Sequence, residues 1–224
     1  MALKNDSPTL ATSINDVLDK KRKPLFIGFI VVIVAVLGTI IGIVVKENVT
    51  AKNLESIDMI NYEMRLDASS LSSDEIASRR SAALEKLAPL TAKSGIVGAR
   101  ASIISAELYF QTADFEKARD LFVKAADLRK KAYFAPDCYF NAGVCSENLG
   151  DNENALLYYK KAGDYSDYLL IDHVLFNIGR LNEALGDLDS AKASYEKLND
   201  LHPTSNWAKL AKSRILTFKV SSQI

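Results

Sequence analysis

Charge is missing from residues 25–45, a run of 21 without one ionisable side chain. Other absences run through the chain. Its 224 residues hold only 2 cysteines, 2 histidines and 5 prolines, and 28 basic side chains balance 28 acidic ones. There is no glycine-rich phosphate loop, no Gly-x-Ser-x-Gly, no Cys/His pairing and no His-Glu-x-x-His, so no enzymatic signature stands out. His173 and His202 lack metal-ligand company, which argues against a metal site, and no cofactor is expected. After the N-terminal tail, 23 basic residues face 25 acidic ones. A nucleic-acid binder would show a basic surplus instead. Cys138 and Cys145 are seven apart. On one helix that is about 10.5 Å along the axis, against roughly 4.4–6.8 Å between the Cα atoms of a disulfide. Two buried free thiols are the expectation.

What the uncharged run offers is length. As a helix it extends about 31 Å, enough for a bilayer core of about 30 Å, and a helix is the form whose backbone survives in hydrocarbon. Lys20-Lys21-Arg22-Lys23 stands immediately before it, with Lys4 further upstream, whereas the 20 residues after it carry only Lys46, Lys52 and Arg65. That asymmetry predicts a cytoplasmic tail (residues 1–24), a transmembrane helix (25–45) and a translocated body. Val49-Thr50-Ala51 resembles a signal cleavage site, but the apolar run exceeds a usual signal core of 7–15 residues, so an anchor is expected. Gly38 and Gly42 allow close helix approach, and a homodimer through the span is one reading; chance occurrence is the other.

The body (46–224) has an internal period. Ala106 is followed by Ala118, Phe122 and Ala125 at intervals of 12, 4 and 3. Gly143, Ala155, Tyr159 and Ala162 repeat those intervals, as do Gly179, Ala191, Tyr195 and Leu198. Between the first two members of each set lies a turn: Thr112-Ala113-Asp114, Leu149-Gly150-Asp151 and Leu185-Gly186-Asp187. Glycine suits the left-handed residue that ends a helix, and the following Asp can cap the next one. Small residues facing each other across the turn, with an aromatic one helical turn on, describe a helical hairpin. Each hairpin leaves an apolar side that stacking must cover.

This pattern resembles the tetratricopeptide repeat, with small residues at family positions 8, 20 and 27 and an aromatic at 24. The resemblance implies an all-α fold: the transmembrane helix, N-terminal helices with a degenerate unit (46–98), three units (99–204) beginning at Ala99, Pro136 and Asp172, and a capping helix (205–224). The units are two or three residues longer than the usual 34. In the degenerate unit a first helix is expected within 51–66 and a second over 81–91, with Ser73 as its cap. Trp207, Leu210, Ala211 and Ile215 give the last helix its apolar side.

In that family the first helix of each hairpin lines a concave groove. Carried over by position, the peptide-binding candidates are Ile103, Phe110, Phe140, Asn141, Val144, Phe176, Asn177 and Arg180. Asn141 and Asn177 each precede a small residue by two. An amide there can grip a peptide backbone, donating and accepting together. The column Ile103, Phe140, Phe176 is apolar where relatives that clamp a C-terminal carboxylate carry lysine, which favours an apolar, extended segment. The alternative is that these residues only pack between units. The architecture also resembles the ancillary subunit of the bacterial SecYEG translocon. That implies an inner-membrane protein with a periplasmic body, contacting the translocon and periplasmic chaperones. A structural scaffold for envelope machinery is the competing expectation.

Overall fold

The computed structural model describes residues 10–221, with side chains over 22–218. Lys4 and the side chains of Lys20 and Lys21, which carry part of the orientation argument, lie outside that range. Nine α-helices are described: α1 Leu10–Arg65, α2 Ser73–Thr91, α3 Gly95–Gln111, α4 Phe115–Leu128, α5 Ala135–Asn148, α6 Asn152–Gly163, α7 Ile171–Ala184, α8 Leu188–Leu201 and α9 Asn206–Ser221. Among the described residues there is no strand. The chain divides into two compact units after Lys52.

The first unit is the N-terminal part of α1, and its apolar side chains over 25–45 are exposed. It is the one helix among the described residues long and apolar enough to cross a membrane. The hydroxyl of Thr39 donates to the carbonyl of Val36 at 2.7 Å, so this polar group is satisfied within the helix, as an apolar surrounding requires. A Cβ added at Gly38 or Gly42 would meet nothing within 4 Å.

The second unit opens with the end of α1. The sequence predicts a separate helix within 51–66, but these residues continue the apolar helix without a break. Nothing between residues 46 and 66 interrupts it, since that stretch holds no glycine or proline. Ile57 and Ile60 are buried with Ala83 and Leu87 of α2 and Val97, Ala101, Ile104 and Leu108 of α3. The cap of α2 is Ser72, one residue before the predicted Ser73. Its hydroxyl accepts from the Glu75 amide at 3.4 Å while its own amide donates to the Glu75 carboxylate at 2.9 Å. The reciprocal pair needs Glu three residues after the cap, and only Ser72 has it.

From α3 onward each helix packs chiefly on the next in sequence, and α7 also meets α9. The hairpin turns follow one plan. Gly150 and Gly186 adopt left-handed φ values of 73° and 84°, and Ala113 occupies the matching place at 57°. The carboxylates of Asp114, Asp151 and Asp187 accept from the amides of Lys117, Asn154 and Ser190 at 3.4, 3.1 and 3.0 Å. All three carboxyls are held below their usual range, Asp114 and Asp151 chiefly by side-chain bonds from the Lys117 ammonium and the Asn154 amide, both at 2.7 Å, and Asp187 chiefly by the Ser190 backbone amide. Each Asp thereby satisfies one amide that the first turn of a helix leaves unpaired. The repeated small residues Ala106, Ala118, Ala125, Ala155, Ala162 and Ala191 are fully buried.

Candidate functional site

The candidate residues sit on the first helices of the three hairpins, α3, α5 and α7, and what holds those helices together is visible at the small positions. A Cβ on Gly143 would lie 2.9–3.0 Å from ring atoms of Tyr159, and one on Gly179 would collide with the ring of Tyr195. Glycine is therefore required for the ring to approach this closely. The cause of the approach is the phenol. Tyr159 donates to the Glu147 carboxylate at 2.7 Å and Tyr195 to the Glu183 carboxylate at 3.2 Å. Burial, together with these carboxylates, raises both phenols, that of Tyr195 to about 12. In the first unit the same three places hold Ala106, Phe122 and Phe110. Without a hydroxyl to anchor, the ring does not need glycine beneath it.

The same two carboxylates reach forward. Glu147 pairs with Arg180 of the following unit, and Glu183 with Arg214 of α9, whose Nε donates at 3.1 Å. Each glutamate thus joins the tyrosine of its own hairpin to an arginine of the next layer. Arg65 and Glu107 approach at 3.9 Å between α1 and α3.

A chain of rings follows the same face. Phe140 lies edge-on to Tyr159 with centroids 5.3 Å apart and 5.1 Å from the imidazole of His173. His173 stacks flat on Trp207 of α9 at 3.9 Å, the planes 6° apart. Phe176 meets Trp207 at 5.1 Å and Tyr195 at 5.7 Å. Burial lowers the pKa of His173, against the opposing pull of Asp172. Asp172 accepts from the Ser205 hydroxyl at 2.5 Å, and Ser205 in turn accepts from the Trp207 amide at 3.1 Å. The start of α9 is therefore fixed by α7.

The predicted residues fall into distinct roles. Phe140 and Phe176 are half-buried in the ring chain, and Arg180 is held by Glu147. Asn177 is buried, with 6% of its surface exposed, and its carbonyl oxygen accepts from Arg180 at 3.4 Å. Asn141 is half-buried, and its amide makes no hydrogen bond among the described residues. Ile103 and Val144 are half-buried at the edge of the main core. Phe110 stays partly exposed and meets Phe115 of its own hairpin edge-on at 5.4 Å. Gly38 and Gly42 belong to the other unit. Spacing within one repeat did not reveal Trp207, Ser205 or Arg214 as partners of this face. A signal was present: Glu147–Arg180 and Asp172–Ser205 are 33 residues apart and Glu183–Arg214 31, all close to one repeat.

Cys138 and Cys145 are buried free thiols, pushed up to about 12 chiefly by burial. No cluster of three potential metal ligands occurs among the described residues.

Comparison with known proteins agrees with this geometry. Residues 136–164 and 173–205 each match a family model described as tetratricopeptide repeat. A "TPR repeat-containing protein" of Treponema pallidum (strain Nichols) is 30% identical over 139 residues, which are 62% of this chain and 58% of the relative. The chain thus spans less than two thirds of that relative's length. Among solved structures, the apo form of RapI is similar with a TM-score of 0.54 at 14% identity, covering 71% of this chain and 47% of RapI. PilW, described as a widely conserved type IV pilus biogenesis factor, is similar with a TM-score of 0.51 at 16% identity, covering 69% of this chain and 66% of PilW. At such identities the likeness is one of fold. The chain carries tetratricopeptide repeats, modules of protein–protein interaction that are generally non-catalytic, behind a helix long and apolar enough to span a membrane.

Proposed function

We propose that this is a membrane-anchored interaction protein whose α3–α5–α7 face takes extended or unfolded polypeptide segments in the periplasm. The observation that carries the reading is the Asn141 amide, which has no partner among the described residues although it stands between the half-buried Phe140 and Val144. A side-chain amide in that position can donate to one peptide carbonyl and accept from one peptide amide. The apolar edges of Ile103, Phe140 and Val144 supply contact for the ligand's side chains. The basic flank before the span favours an N-terminus in the cytoplasm and a body outside it. Within an inner membrane, that arrangement suits an ancillary subunit beside a SecYEG-type translocon that hands secreted chains to periplasmic chaperones.

A second reading has its own observation. The rings of Phe140 and Phe176 are engaged by His173 and Trp207, which favours a stiff scaffold for folded partners of the cell envelope. One experiment separates the two. The full chain, purified in detergent, is titrated with fluorescent unfolded peptides of apolar composition. Asn141→Ala should weaken binding at least fivefold, in proportion to two lost hydrogen bonds of about 0.5–1.5 kcal/mol each, with helicity unchanged. Unchanged peptide affinity in that variant refutes the groove and leaves the scaffold reading.

A further inference from the structure

The connections from α4 to α5 and from α6 to α7 lie side by side, joined where the Tyr165 phenol donates to the carbonyl of Lys130 at 2.7 Å. Between them is a cleft of about 570 Å³, lined among others by Tyr133, Pro136, Tyr165 and Leu169. Tyr133 and Leu169 are 90% and 93% exposed, more than any other large apolar side chain among the described residues, those of the apolar helix included. Folding of the hairpins does not call for this exposure, because neither side chain belongs to a buried core cluster. Two large apolar groups projecting beside one hollow mark a contact surface.

The charges at the cleft identify the occupant. Lys130 is tied to Asp127 at 3.5 Å, and Asp137 accepts from the Tyr168 phenol at 2.8 Å. Lys131 and Asp167 also line the cleft, on its opposite connections, and neither forms an ion pair among the described residues. An acidic ligand would leave Asp167 opposed, and a basic ligand would leave Lys131 opposed. A surface that carries a hollow, two apolar projections and, on its opposite connections, one lysine and one aspartate that no side chain engages among the described residues is complementary to itself when turned about a two-fold axis. We propose that this cleft is a docking site for a second copy of the chain. Lys131 meets the partner's Asp167 and Asp167 meets the partner's Lys131. Tyr133 and Leu169 enter the cleft of the opposite copy.

The test uses two differently tagged full-length chains co-expressed in membranes. One carries Ser166→Cys and the other Ala132→Cys, so that all four docking residues stay in place. The native thiols are buried, and a short bismaleimide reports the introduced pair. The mixed-tag product should exceed that of a Glu153→Cys pair, exposed in the first turn of α6 and so at the far end of that helix from the cleft, at least fivefold. Lys131→Asp in both chains should reduce it roughly five- to tenfold through like-charge opposition. Adding Asp167→Lys to the same chains should restore it, and Tyr133→Ala with Leu169→Ala should abolish it. A yield equal to the Glu153→Cys pair overturns the proposal, since proximity would then come from the anchors alone. So does a yield indifferent to Lys131→Asp, or one that the charge swap fails to restore.

Discussion

Gly143→Ala adds one methyl group to the first helix of the second unit, and two effects of opposite sign compete. Alanine is the better helix former by about 0.8–1 kcal/mol. The new Cβ, however, would stand 2.9–3.0 Å from the Tyr159 ring, inside the usual contact distance. The ring has little freedom to retreat: Tyr159 is 1% exposed and its phenol is bound to Glu147 at 2.7 Å. Overpacking of this kind costs about 1–3 kcal/mol, and shifting the ring would weaken a hydrogen bond to a charged group worth about 1.5–3 kcal/mol. The clash wins by about 1–2 kcal/mol, a drop in Tm of about 2–8 °C for a body of this size. Gly163→Ala is the internal control. Its Cβ would lie 3.4 Å from Val174 and 3.7 Å from Ile178, an ordinary contact, so propensity should dominate and Tm should rise. In a Tyr159→Phe background the ring is released from Glu147, and the penalty of Gly143→Ala should shrink. Thermal melts of the full chain in detergent, followed by far-ultraviolet circular dichroism, measure all four variants. If Gly143→Ala melts at or above the parent, or costs as much in the Tyr159→Phe background as in the parent, the anchored-ring account is wrong.

Two further outcomes follow from local geometry. Ala113 holds a left-handed φ of 57° where its counterparts are glycines; Ala113→Gly should raise stability and Gly150→Ala lower it, each by about 1 kcal/mol, as read by chemical denaturation. Burial lowers the pKa of His173 from 6.5, so the unfolded chain binds the extra proton first. The stabilisation is then complete above about pH 6.5 and is lost as pH falls toward the folded-state pKa. A His173→Gln variant should show a flatter stability profile on the acid side of neutrality, and a profile parallel to the parent's would contradict this.

The hairpins were legible because their determinants are local. The small-residue intervals, the left-handed glycines and the capping aspartates each act within one unit, and each is found in place at 143, 150, 151, 179, 186 and 187. Ala113 was legible only as a turn member, since nothing in its type announces a positive φ. The continuation of α1 to Arg65 follows from an absence of breakers, which a search for repeat boundaries passes over. The site was harder to read. Which atom holds Glu147, or what lies flat on His173, depends on residues about one repeat away. Amphipathic spacing shows which side of a helix is apolar, not which neighbour completes it. Asn141 and Asn177 occupy equivalent places in the sequence, yet one amide is unengaged and the other is buried beside Arg180. The difference arises because the following arginine exists only in the third unit.

Each glutamate that bridges a tyrosine to the next arginine spans roughly one repeat of chain, and the larger contacts link helices adjacent or nearly adjacent in sequence. Order can therefore spread from one end without waiting for a distant segment to return, which is the condition for rapid folding. A polypeptide still emerging from its site of synthesis can add every new hairpin to the finished one before it. The latch between α7 and α9 then closes last, when Trp207 settles on His173.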